Sequence, residues 1–424
     1  MPTPTGPPAE RGPGERSPDR HPRRTIVVLG MLSTFGPISL DLYLPSLPEL
    51  ATDLDASTSS AQLTITACLL GLAVGQLVAG PLSDQFGRRR PLLIGLVAYL
   101  FTSLACAFAP TIEALILLRL LQGLAGSAGL VIARAVARDL YQGRALLIMF
   151  SRLVLVSGLA PVVAPVLGGQ LAAVMDWRGI FGVLAAFGLV LVLAGFLGVP
   201  ESLPPQRRSA GGLQANLAGF RELLGDRLFL GAALASGLAG AAMFAYIAGA
   251  TFVLQRIYGM SPQGFSYAFG ANALGIMAMS QLGARLARTW PEVRLLGLGL
   301  GMNLVGAVGV LASVLLGLGL APLLVALWVM VSPVGLVFPT ATTLALADYP
   351  HQAGRASSLL GLGQYVAGAV AAPLVGLGGE DTAVPLGVVV VGASLLAMGV
   401  FRLLVVRTLR SRSTAETGLD DLEQ

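Results

Sequence analysis

Apolar residues run along this chain in blocks of about twenty, separated by short polar connections, which is the length a helix needs to cross a bilayer. The blocks predict spans near 26–44, 63–82, 91–108, 114–133, 146–167 and 177–199, then, after a polar linker, 228–252, 265–282, 295–317, 322–346, 357–377 and 384–406. The expected fold is an all-α integral membrane protein of 12 transmembrane helices in two pseudo-symmetric six-helix bundles. The division follows: a disordered tail over 1–24, an N-terminal bundle over 25–200, a linker over 201–227, a C-terminal bundle over 228–406 and a second tail over 407–424. The first apolar run continues into Asp41-Leu-Tyr-Leu-Pro45 without a small-residue cleavage site, so a retained span is expected there and not a signal peptide.

Composition supports this pattern and removes other classes. Hydrophobic residues make up 55% of the chain and charged residues 12%, too few to coat soluble domains. The 54 glycines suit membrane helices that approach closely. Lysine is absent, and the arginines form no continuous basic face, so no nucleic-acid partner is expected. Cys68 and Cys106 lie singly in apolar runs, and the two histidines, His21 and His351, stand apart; no metal site is expected. No convergent nucleophile, base or metal cluster points to an enzyme.

The arginines also orient the spans. With the N-terminus in the cytoplasm, 24 of the 27 fall in or around the tails, the inner connections and the inner ends of spans. Arg178 and Arg256 fall near outer loops and Arg119 inside a span, while Glu49, Asp53, Asp55, Asp176, Glu380 and Asp381 occupy outer connections. Both termini are therefore expected to be cytoplasmic. An internal repeat adds to the two-half reading: Gly143-Arg-Ala145 opens the fifth span and Gly354-Arg-Ala356 the eleventh, with Ala164-Pro165 and Ala372-Pro373 deeper in each.

Asp41 is the sharpest candidate for chemistry, because a carboxylate inside an apolar span costs ~2–3 kcal/mol or more. It either exchanges a proton or contacts substrate, or it is a polar helix-end residue near the headgroups. Tyr43 is a neighbouring hydrogen-bond donor or an interfacial aromatic. Arg119 lies about six residues, or ~9 Å, into the fourth span, at a depth similar to that of Asp41. The two could face one cavity, with Glu113 as another partner for the arginine. Pro161 and Pro165 bend the fifth span or assist alternating access. Gln122, Met243, Phe244, Tyr246, Phe269 and Asn272 are candidates for the substrate cavity, the helix-packing alternative standing beside each, and Asn303 and Gln364 are further intramembrane amides. The second half carries no deeply embedded acid, since Glu222, Asp226 and Asp348 lie near helix ends.

Gly80-Pro-Leu-Ser-Asp-Gln-Phe-Gly-Arg-Arg-Arg90, after the second span, resembles the signature of the major facilitator superfamily, with Gly80, Asp84, Gly87, Arg88 and Arg89 on its positions. Leu42-Tyr-Leu-Pro-Ser46, Arg119-Leu-Leu-Gln-Gly123, Arg134-Ala-Val-Ala-Arg138-Asp139, Asp176-Trp-Arg178 and Pro200-Glu-Ser-Leu-Pro204 resemble the Bcr/CflA-like drug/proton antiporters of that superfamily. Ala164-Pro165-Val-Leu-Gly168-Gly169 is similar to their fifth-span motif, with Ala160 and Ala164 where glycine is usual.

The resemblance covers residues 25–406 and implies a major facilitator fold, with Asp41 and Arg119 coupling protons and the loop motif contributing to gating. It implies a functional monomer in the bacterial inner membrane, in contact with lipids, needing no cofactor but the proton. The expected activity is export of drugs or toxic metabolites, among them chloramphenicol-like or bicyclic antibiotics, in exchange for protons. A proton-coupled nutrient or metabolite symporter is the alternative.

Overall fold

The computed structural model describes residues 22–141, 143–208, 221–349, 353–379 and 382–411. Most of both tails, the middle of the central linker, His21 and His351 lie outside the described residues. The second to ninth spans are Thr58–Phe86, Arg89–Ala107, Ile112–Leu140, Gly143–Leu171, Trp177–Gly198, Arg227–Phe252, Pro262–Leu286 and Glu292–Leu315. The eleventh and twelfth are Ala353–Gly376 and Val384–Val400.

The first and tenth spans are broken, and proline accounts for both breaks. Pro37 has no amide to give the preceding turn, and the first span is the pair Pro22–Ser33 and Phe35–Asp41; the helical path Arg24–Ser33 bends by 42° into Phe35–Asp53. Pro333 divides the tenth into Leu320–Val331 and Val334–Leu346. Several spans begin on side-chain caps: Ser57, Thr111, Asp176, Asp226 and Ser261 each accept a bond from an otherwise unpaired amide of the first turn.

Among the described residues, nine helices are long and apolar enough to cross a membrane, and the bent first pair makes a tenth. The fifth, of 29 residues, and the eighth, of 25, occupy the remaining expected places. The eighth is diluted by Gln263, Ser266, Asn272, Ser280, Gln281 and Arg285.

Packing repeats six spans along the chain. The second span packs on the fourth, the third on the sixth and the first on the fifth; the eighth packs on the tenth, the ninth on the twelfth and the seventh on the eleventh. The bundles meet through the second span against the eleventh and the fifth against the eighth, contacts that exchange under the same relation. Two six-helix bundles related by a pseudo-two-fold axis follow from this pattern.

Within the first bundle the second and fourth spans touch backbone to backbone. A Cβ at Gly71 would run into the Leu120 carbonyl, and one at Gly123 into the Cys68 carbonyl, so each helix is bare where the other is closest.

Gly87 turns the chain from the second span into the third at φ 90°, a region closed to side chains. A methyl there would also lie 2.5 Å from a Glu201 carboxylate oxygen. Gly87→Ala should cost about 1–3 kcal/mol and lower the thermal unfolding midpoint in detergent by several degrees. Gly392→Ala, which meets open space, is the control. Equal midpoints for the two variants would contradict the strain argument.

Candidate functional site

A cavity of about 260 Å³ lies between the bundles. From the first bundle it is lined by Gly36, Pro37, Leu40, Asp41 and Pro161, and from the second by aromatic and aliphatic side chains of the seventh, eighth, tenth and eleventh spans. The break at Thr34 and Pro37 turns the end of the first span so that Asp41 faces the cavity. Asp41 is only 6% exposed, and the chain passes beyond it into Leu44–Ser46 and the helix Leu47–Asp53 before the loop. Asp41 is thus the last residue of its helix and is buried where the two bundles meet. Among the described residues Asp41 makes no ion pair or hydrogen bond, and it is the one ionisable acid in the lining.

Met243, Tyr246, Phe269 and Asn272 face Asp41 across the cavity from the second bundle. The Tyr246 and Phe269 rings stack with centroids 5.5 Å apart, and Asn272 Nδ2 donates to Tyr246 Oη at 2.6 Å. Phe244, Phe338 and Tyr365 complete an aromatic wall. Such a chamber accepts an apolar ring system and offers polar contacts at Asp41 and at the Tyr246–Asn272 pair.

Arg119 does not share this cavity. It is fully buried inside the first bundle, where one terminal nitrogen donates to Gln122 Oε1 and the other to the Ser39 carbonyl at 3.0 Å. Its guanidinium lies 4.4 Å over the Tyr43 ring and 5.6 Å from that of Phe181. Gln122 in turn donates to Ser103 Oγ at 2.7 Å, and Tyr43 Oη shares a hydrogen bond with Thr64 Oγ1 at 3.0 Å.

Two placements are thereby corrected. Gln122, at i+3 from Arg119, serves the arginine and not the cavity, and Tyr43 lies under the guanidinium. Equal depth along two helices does not fix the direction in which their side chains point. Asp41 and Arg119 are linked instead through the first-span backbone at Ser39. Glu113 is exposed and makes no ion pair with Arg119 among the described residues.

A second charged cluster stands at the arginine-rich ends of the spans. Arg88 contacts Asp84 at 2.5 Å and Asp139 at 2.9 Å, and its Nη1 donates to Ser83 Oγ at 2.7 Å. Its amide donates to Glu201 Oε1 at 2.8 Å, while Ser202 Oγ donates to Asp139 Oδ2 at 2.9 Å. Burial opposes the charge of Arg88, but the carboxylates of Asp139 and Asp84 outweigh it and hold its pKa above the ordinary arginine value. This knot fastens the second, third and fourth spans to the segment after the sixth. Gly80 lies in ordinary contact with Val131, and Arg138 is exposed one residue before Asp139.

At the opposite face, where the first loop lies, the bundles are tied together. Gln255 Nε2 donates to the Pro45 carbonyl at 3.0 Å, and Arg256 Nη2 to the Pro48 carbonyl at 2.8 Å and to Thr52 Oγ1 at 2.7 Å. The residues Val253–Ile257 that carry them form a π-helical turn at the end of the seventh span. Deeper in, Thr66 Oγ1 donates to the Ala369 carbonyl and Gln62 Nε2 to the Ala248 carbonyl, both at 3.3 Å.

Gly169 packs against Ser266 of the eighth span, whereas the neighbouring Gly168 packs against the Leu42 backbone of the first. Pro165 is buried one turn before them. Sequence reasoning missed Gln255 and Arg256, since their main-chain acceptors leave no residue-type signal.

Three comparisons place this geometry among known proteins. The family model described as Major Facilitator Superfamily matches residues 19–372. An uncharacterized MFS-type transporter, YdgK, of Bacillus subtilis (strain 168) is 41% identical over 85% of this chain and 90% of its own length. A bicyclomycin resistance protein homolog of Haemophilus influenzae is 31% identical over 91% of this chain and 97% of its own. Among solved structures, the nucleoside transporter NupG superposes with a TM-score of 0.74 at 13% identity, covering 90% of this chain and 98% of that one.

Proposed function

Because this chain belongs to the major facilitator superfamily, and is therefore a multi-pass transporter of small molecules and not an enzyme, we propose that it exports drug-like compounds in exchange for protons. The observation that carries this reading is Asp41, a carboxyl with no ion pair or hydrogen bond among the described residues, in a largely apolar cavity shared by the two bundles. A proton and a substrate group cannot both hold that carboxyl. Substrate entering from the cytoplasm displaces the proton, and outside protons displace substrate once the cavity opens there, so the charge on Asp41 biases which packing of the bundles is favoured. The arginine-rich face is the cytoplasmic one, with both termini on that side. The protein acts as a monomer among the lipids of the bacterial inner membrane and needs no cofactor beyond the proton.

Purified protein should release protons when it binds substrate. A panel headed by bicyclomycin, to which the Haemophilus influenzae relative's name points, tests this. Proton uptake on binding would favour a symporter, and silence across a wide panel would sink the exchange reading.

The Gln255 and Arg256 bonds close the outer side. Arg256→Ala should loosen that closure and speed maleimide labelling of Ser266→Cys, a buried site under Gly169, several-fold in a background lacking Cys68 and Cys106. Unchanged labelling would remove Arg256 from the gate.

A further inference from the structure

A second recess lies away from the bundle interface, between the second, third and fourth spans, with a volume of about 600 Å³. Its floor is made of small side chains, Gly75, Ala79, Gly95, Ala98, Ala125 and Ala128. Its rim is apolar and outward-facing: Ile94 is 70% exposed and Phe86 52%. In a membrane protein such a surface faces hydrocarbon. The two hydroxyls in the lining are already used within their own helices, Thr102 donating to the Ala98 carbonyl and Ser127 to the Leu124 carbonyl. The floor therefore has no free hydrogen-bond donor for a polar ligand and offers an alkyl chain a continuous contact.

One end of the groove is different. The three arginines that follow Gly87 have three fates. Arg88 is consumed by Asp84 and Asp139, and Arg89 donates to the Phe196 carbonyl at 2.8 Å while lying 5.3 Å over that ring. Arg90 has no ion pair or hydrogen bond among the described residues, is exposed, and lines the end of the groove. The family signature accounts for the first two arginines and leaves the third unexplained.

We propose that this groove binds an anionic phospholipid, one acyl chain lying on the small-residue floor and the headgroup phosphate on Arg90. The site is separate from the transport cavity and does not depend on what the protein carries. Arg90 supplies a permanent cation at the level where headgroups lie, and a guanidinium suits a phosphate in both geometry and charge.

Native mass spectrometry of the protein released from nanodiscs of phosphatidylglycerol and phosphatidylcholine tests this directly. The wild-type protein should retain one phosphatidylglycerol with about fivefold preference, the size expected for one arginine near an anionic surface. Arg90→Gln should keep a lipid but lose the preference, Arg90→Lys should preserve it, and Ala98→Leu, which fills the floor, should lose the retained lipid. A phosphatidylglycerol carrying a photoreactive group on its acyl chain should cross-link to peptides of the second to fourth spans. Equal retention of the two lipids by the wild-type protein, an undiminished preference in Arg90→Gln, or cross-links confined to other spans would overturn the proposal.

Discussion

Asp41→Asn should abolish proton release on substrate binding and, with it, uphill export, while leaving binding itself intact. Asparagine keeps the shape of the side chain and removes the titration. If proton and substrate exclude one another at this carboxyl, a coupling of about 1–3 kcal/mol makes wild-type affinity change roughly 5–150-fold across the titration. Affinity falls toward acid pH, where the proton competes, and is greatest where Asp41 is ionised. The asparagine variant should bind with an affinity that does not vary with pH. Asp41→Glu, which keeps the acid but lengthens it in a cavity of about 260 Å³, should stay coupled and run slowly. Direct binding measured between about pH 5 and 9, with proteoliposome flux beside it, checks both. An Asp41→Asn protein that still drives a gradient would place the coupling group elsewhere.

Arg119→Leu should be nearly as damaging to transport, for a different reason. It leaves the Gln122 carbonyl oxygen and the Ser39 carbonyl without their donor in a buried setting, each at about 1–3 kcal/mol. Arg119→Lys should not rescue it, because a single ammonium cannot reach both acceptors while lying flat over Tyr43. Arg119 is thus a positioning residue: it holds the first-span backbone two residues before Asp41. If the two charges formed a pair, removing both would cost less than the separate losses suggest. The geometry, in which Arg119 meets the Ser39 carbonyl and not the Asp41 carboxyl, predicts instead that Asp41→Asn relieves none of the loss caused by Arg119→Leu in unfolding free energy. Thermal unfolding of the four proteins of that cycle decides the matter, and a strongly compensating double variant would restore the direct pair.

The spans were legible because hydrocarbon demands about twenty apolar residues at a stretch. The proline breaks were legible in kind, though the sequence did not say that Pro37 would turn Asp41 into the cavity. What could not be read was rotation about each helix axis. In a soluble helix the buried face is apolar and the exposed face polar, but in the fourth span the residues facing outward and most of those facing the core are alike apolar. Arg119 could therefore be placed in depth but not in azimuth, and Gln122 went with it to the wrong side. Tyr43 was misplaced for the same reason, its ring lying under the Arg119 guanidinium and not in the cavity. Met243, Tyr246, Phe269 and Asn272, from two helices of the second bundle, do line one chamber.

The bare crossing of Gly71 and Gly123 has a mechanical consequence. It lies near the middle of two helices of 29 residues each, about 43 Å long at 1.5 Å per residue. Two rods touching at their midpoints would ordinarily scissor, but Arg88 clamps their far ends through Asp84 and Asp139. A pair so held tilts as one stiff beam, and a tilt of about 5° about the midpoint carries the Thr58 and Ile112 ends and the Arg88 end roughly 2 Å in opposite directions. Narrowing on one side of the membrane and widening on the other thus become the same displacement, geared by a crossing that has no side chain to slip on.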